Sequence, residues 1–205
     1  MWKIIFEFLD TLVNASEPLK TILISWILSI MTCTSVILIG AGVEKLEQLE
    51  FKALNAIFSK KMALFIEDRL TFPGTMLHEC SHVLFAWITG AKIQKVRLLT
   101  FFDAHRLGYV IFAPRGNKLQ RRVQLAFSSS APVIMGITEL SVIIKIWTYF
   151  DLTFGWKCLL VYLFISIFNH MSMSVADIKN YCRGLISVFP VVFLIFYAIR
   201  FYAFR

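Results

Sequence analysis

Apolar residues in this chain fill long blocks instead of alternating or marking a narrow stripe. Four blocks stand out, at 20–42, 123–148, 153–173 and 184–203. Each approaches or exceeds the ~20 residues that a membrane-spanning helix requires. A fifth, at 73–90, is shorter and more polar. Between the first and fifth blocks, apolar side chains at 46, 49, 54, 57, 58 and 65 stand among nearly balanced charges. That spacing predicts a helix lying along a membrane surface. The first twenty residues, MWKIIFEFLDTLVNASEPLK, have an apolar run interrupted by Glu7 and Asp10 and no small-residue cleavage site before Pro18. They predict an interfacial amphipathic helix, with the first span retained as an anchor.

Composition supports the pattern. Of 205 residues, 58% are hydrophobic and 17% charged, against about one-quarter charged in an average soluble domain. The expected architecture is an all-α polytopic membrane protein with about five membrane segments, its main partner the lipid bilayer. The four cysteines, Cys33, Cys80, Cys158 and Cys182, lie in or beside apolar blocks without pairing spacing, so they predict no disulfide framework.

The net charge of +8 is unevenly distributed. Lys92, Lys95, Arg97, Arg106, Arg115, Lys118, Arg121 and Arg122 face only Asp103 across the same stretch. In a loop between membrane segments this bias predicts a cytoplasmic location. Arg115, Lys118, Arg121 and Arg122 run directly into an apolar block, which favours anionic headgroups over nucleic acid, and no nucleic-acid partner is expected.

The fifth block contradicts its own apolarity. Within FPGTMLHECSHVLFAWITG (72–90) lie His78, Glu79 and His82, and a charged group at mid-bilayer costs roughly 2.5–3.5 kcal/mol. Pro73 suits a first helical turn and Gly90 a stop. Four residues apart, His78 and His82 share one helical face. Two imidazoles so placed can hold a zinc ion, and Glu79 stands where a carboxylate reaches a water on that ion. This is the H-E-x-x-H arrangement of zinc metalloproteases. Zinc is the expected cofactor, and Glu79 the expected catalytic base. Catalytic zinc sites usually take three protein ligands. On the residues alone the third could be Asp177, which is followed by Asn180, or Glu139 or His170 within apolar blocks, while His105 reads as an exposed loop residue.

The order of features resembles the site-2 protease class of intramembrane zinc metalloproteases, especially its small bacterial zincin peptidases. FPGTMLHECSHVLFAWITGAKI is similar to their first motif. KIQKVRLLTFFDAHRLGYVIFAP reads as two β-like runs with a turn near Asp103–Leu107, similar to the membrane-associated strands of that family. SSSAPVIMG (128–136) resembles its small-residue and proline stretch, without the usual glycine before Pro132 or an asparagine after it. SMSVADIKN (172–180) resembles its aspartate motif, without the glycine that commonly follows.

The resemblance covers roughly 72–183 and implies three parts. Residues 1–72 would carry the amphipathic helix, the first anchor and the interfacial helix; 73–183 the protease-like core; and 184–205 a last transmembrane helix. It implies a small β-hairpin between the metal-motif helix and the next span. It prefers Asp177 as the third zinc ligand over Glu139, with His170 after them. The implied function is a zinc-dependent, membrane-embedded endopeptidase of the bacterial inner membrane. Its active site would face the cytoplasm, and its substrate would be a membrane protein or peptide held as an added strand along 93–113. The same residues leave two alternatives. One is a membrane zincin using Glu139. The other is an inactive homologue that serves as an interaction or accessory subunit. The sequence sets no oligomeric state.

Overall fold

The computed structural model describes residues 16–98 and 108–203. The expected N-terminal amphipathic helix, the Asp103–Leu107 turn and His105 lie outside the described residues. The chain forms α1 (Glu17–Ile57), α2 (Lys60–Leu64), a π-helical turn (Phe65–Leu70), α3 (Phe72–Ile88), β1 (Lys92–Arg97), β2 (Tyr109–Ala113), α4 (Lys118–Tyr149), α5 (Phe154–His170) and α6 (Val175–Ala203).

Among the described residues, three helices are long and apolar enough to cross a membrane: α1, α4 and α6. The sequence pattern predicts about five segments. The other two, α3 and α5, have 17 residues each, the lower limit of the usual ~17–25. Their ends explain the shortness. The chain leaves α3 through Gly90, at φ +82°, and α5 stops at His170, shortly before α6 begins at Val175. One boundary differs from the sequence pattern more sharply. α1 continues through residue 43, where a separate surface helix is expected. The segment EKLEQLEFKALN that succeeds Gly42 and Val43 consists largely of strong helix formers and holds no glycine or proline, so nothing interrupts the hydrogen-bond ladder.

The fold divides into two compact units. One gathers the chain up to Ser35 with the chain from Ile186 onward, and the other holds Val36–Leu185. In the first, Trp26 meets Phe189 and Phe193 at ring-centroid distances of 5.0 and 5.8 Å. Ser25 and Ser29 are fully buried there and donate back to carbonyls of their own helix, Thr21 O and Ser25 O.

The second unit is built on α3, α4 and α5, each packed against the other two. Ile143, Leu160 and Ile167 form the buried apolar centre between α4 and α5, with Leu77 of α3 against it. The strands pair antiparallel, Lys92 opposite Ala113 and Arg97 opposite Tyr109, with an irregularity between Ile93 and Lys95, and both pack on α3. This is the hairpin expected between the metal-motif helix and the next span. Gln124, buried in α4, ties its ends: Nε2 donates to Thr89 O, and Oε1 accepts from Arg115 N–H. Asn117 and Gln120 form a reciprocal capping box that starts α4 where the hairpin ends.

A close approach joins α3 to α5. Gly74 N–H donates to Ser166 Oγ at 2.8 Å, and that hydroxyl donates to Thr71 O. A Cβ at residue 74 would lie 1.9 Å from the Ser166 carbonyl oxygen. Gly74→Ala therefore forces two helix backbones apart and is expected to destabilise the protein by about 1–3 kcal/mol. Gly42→Ala, where an added Cβ meets nothing within 4 Å, should be neutral or stabilising. Unfolding of both variants in detergent, followed by circular dichroism, measures the contrast; equal stability would refute the packing argument.

Candidate metal centre

α3 carries His78 and His82 on consecutive turns, with Glu79 next to the first, and the fold determines what surrounds them. His82 is buried between α3 and α4; His78 is half-buried at the end of α5. Their rings meet edge to face, with centroids 4.8 Å apart.

Each ring is fixed through its Nδ1. His78 Nδ1 lies 2.6 Å from His170 O, and His82 Nδ1 lies 2.7 Å from Ser128 O. A carbonyl oxygen carries no hydrogen, so each Nδ1 must be the N–H donor. In the neutral ring the lone pair then resides on Nε2. The two Nε2 atoms face each other at 3.2 Å. Two lone pairs at that distance repel unless a proton or a cation lies between them. Tetrahedral zinc with Zn–N bonds near 2.0–2.1 Å sets its nitrogen ligands about 3.3 Å apart. The pair thus fits a shared metal ion, with backbone carbonyls orienting both ligands in the manner usual for metal-binding histidines.

The His170 carbonyl is open because α5 ends there. The amide four residues on, Ser174 N–H, points to Asp177 Oδ2 at 3.3 Å. Ser174 Oγ donates to the same carboxylate oxygen at 2.5 Å and accepts from Asp177 N–H at 3.2 Å. Ser174 and Asp177 therefore form a capping box in the first turn of α6. The sequence pattern instead sets Asp177 near the end of the preceding helix.

A cavity of about 690 Å³ opens on this face, lined by His78, Glu79, His82 and Asp177. All four sequence-predicted site residues share it. Among the described residues, however, no three His, Cys, Asp or Glu side chains converge as a metal-holding group; the close pair is His78 with His82. Glu79 is buried, at 9% exposure, and packs beneath the hairpin. A Cβ on Gly108 would come 2.8 Å from Glu79 Cγ, so the glycine that leads into β2 leaves room for this carboxylate. β2 itself contributes Tyr109, Val110 and Phe112 to the cavity wall.

The other candidate ligands, Glu139 and His170, border a second, small cavity with His78. His170 Nε2 meets Thr71 Oγ1 at 2.8 Å and Thr75 Oγ1 at 3.3 Å, and its Nδ1 is 3.9 Å from Glu47. Thr71 Oγ1 donates to Glu67 O, so His170 Nε2 supplies the proton of their bond. His170 serves the site through its carbonyl instead of its ring. Glu139 is absent from the wall of the 690 Å³ cavity; it borders the small cavity beside His78 and also a groove of about 420 Å³ with Cys80 and Trp87. Sequence reasoning missed Glu47, whose carboxylate joins the wall of the large cavity from α1. In EKLEQLE it is one acid among several, and only the fold distinguishes it. The Ser128–Ser130 turn belongs to the small-residue and proline stretch singled out in the sequence, but its bond to His82 was not foreseen there. All three residues are buried, and the hydroxyls of Ser128 and Ser129 have no partner among the described residues, a cost of about 1–3 kcal/mol each in the turn that holds His82.

No protein-family model, no curated protein and no solved structure matches this chain.

Proposed function

We propose that this protein is a zinc-dependent, membrane-embedded endopeptidase of the H-E-x-x-H type, organised like the site-2 proteases that its motifs resemble. The observation that carries the reading is the pair of Nε2 atoms 3.2 Å apart, each with its Nδ1–H held by a backbone carbonyl. His78 and His82 would hold the metal, and Asp177, on the same cavity, is the third ligand. When bound, the zinc ion supplies Lewis acidity and brings the pKa of a water near 7. Glu79 accepts the proton of the attacking water on its carboxylate and returns it to the leaving amine nitrogen. Burial beneath the hairpin holds Glu79 close to the reacting atoms and away from bulk solvent.

The substrate is a segment of a membrane protein, bound extended beside β2. A helical segment keeps its carbonyls in internal bonds, so it must unwind before one can be attacked. A strand edge on the cavity wall offers replacement hydrogen bonds to the unwound backbone. α3 and α5 complete about five membrane segments with α1, α4 and α6. The basic residues of 92–122 face the cytoplasm of a bacterial cell, so water and the site are reached from that side.

A second reading has its own observation. Asp177 is occupied in a capping box and, among the described residues, no third ligand converges on the pair. That arrangement suits an inactive homologue that binds membrane partners without cleaving them.

Three measurements decide between these readings. Purified wild-type protein should contain about one zinc per chain, and His78→Ala and His82→Ala should each lose it. Asp177→Asn keeps an oxygen for Ser174 N–H while removing the anionic ligand, so it should also lose metal; Glu139→Ala should not. Retention by Asp177→Asn with loss in Glu139→Ala would reverse the assignment of the third ligand. Glu79→Gln should retain zinc and lose cleavage of a membrane-peptide library by about 10²–10⁴-fold. Biological activity unchanged by Glu79→Gln would favour the non-catalytic reading. Proline at Val110, which removes a strand N–H, should impair cleavage without loss of metal, and full activity would remove β2 from substrate binding.

A further inference from the structure

His82 takes its acceptor from the middle of a helix, where carbonyls are ordinarily in use. In a continuous α-helix, the carbonyl of residue i accepts from the N–H of residue i+4. For Ser128 the residue four positions on is Pro132, inside the unbroken helix α4. Proline has no N–H. The Ser128 carbonyl therefore lacks its helical donor, and it is this oxygen that accepts from His82 Nδ1 at 2.7 Å. Ser128, Ala131, Pro132 and Val133 are all buried, so the oxygen must find its partner within the protein.

We propose that Pro132 is a positioning residue for His82: by withholding an N–H it reserves the Ser128 carbonyl for the imidazole, which fixes His82 with Nε2 open towards His78. Pro132 is not on the wall of the large cavity, and the metal-affinity consequence of the proposal rests on the zinc reading above. Its tautomer consequence does not. Any residue other than proline at 132 restores an N–H directed at Ser128 O. The helix then gains an internal bond, and His82 Nδ1–H must share or lose its acceptor. Ordinary structural importance predicts that replacing Pro132 weakens the fold and the site together. This mechanism predicts that the fold holds while the site weakens, because proline inside a helix is itself unfavourable.

The test uses full-length protein in detergent with three variants. Pro132→Ala restores the N–H, and Pro132→Val restores it while refilling the ring volume. Pro190→Ala does the same in α6, remote in sequence from the motif, and is the control. Zinc affinity is read by chelator competition, the His82 ring nitrogens by ¹⁵N NMR of histidine-labelled metal-free protein, and the fold by thermal melting. Both Pro132 variants should bind zinc about 10–100-fold more weakly, shift the His82 Nδ1–H signal, and melt no lower than wild type. Pro190→Ala should change neither zinc binding nor that signal. Wild-type affinity and an unmoved His82 signal in both Pro132 variants would overturn the proposal, as would equal weakening in Pro190→Ala. If the wild type binds no zinc, the metalloprotease reading fails, and the NMR signal alone decides the role of Pro132.

Discussion

A histidine that is to offer Nε2 to a metal must place its Nδ1–H on an acceptor, and within a helical core nearly every carbonyl is already taken. The second unit meets this constraint twice. His170 O is open because α5 ends and the next available amide is drawn to Asp177. Ser128 O is open within a helix that continues past it. Each backbone–imidazole bond contributes no more than the usual ~0.5–1.5 kcal/mol to stability. Its larger effect is to select one tautomer and one ring orientation, and the 3.2 Å approach of the two Nε2 atoms depends on both.

Helix direction brings those carbonyls to the right rings. Gly74 touches Ser166, and one turn further along both helices His78 touches His170. α3 and α5 therefore run parallel here. α4 runs the other way: His82 pairs with Ser128, and Thr89, further along α3, pairs with Gln124, earlier in α4. The close approach at Gly74 fixes the height of α5 relative to α3, so the His170 carbonyl lies against His78. The hairpin tie at Gln124 fixes α4 in the same way from the opposite end. Stability and site geometry share these contacts, and a change at either one moves a histidine acceptor.

Features set by local periodicity were legible in the sequence. A spacing of four sets His78 and His82 on one face whatever the surroundings, and the apolar blocks announced α4, α5 and the helical parts of α1 and α6. The hairpin showed in its β-like runs. The hidden features depend on pairs distant in the chain: His78 with His170, 92 residues apart, and His82 with Ser128, 46 apart. Glu47 joins the cavity from a helix whose charges look interchangeable. The boundary at 43 misleads for a different reason: a change from apolar to charged composition alters the environment a helix prefers without breaking its backbone.

The capping box at the start of α6 ties these points together. If Ser174 N–H bonded four residues back, α5 would continue and the His170 carbonyl would be lost to His78. Asp177 accepts that N–H instead, so the carboxylate that ends one helix and begins the next also keeps open the carbonyl on which His78 depends. The intervening turn is held firmly. Met173 is fully buried, and its N–H donates to Gly40 O of α1. Asp177 thus acts on His78 through the backbone whether or not it touches a metal, and its hydrogen bonds and its negative charge are separable contributions. The Ser-x-x-Asp spacing therefore supports two physical roles at one position, a cap that shapes the site and an anion on its wall, which is why loss of the whole side chain would be a poorer guide than loss of the charge alone.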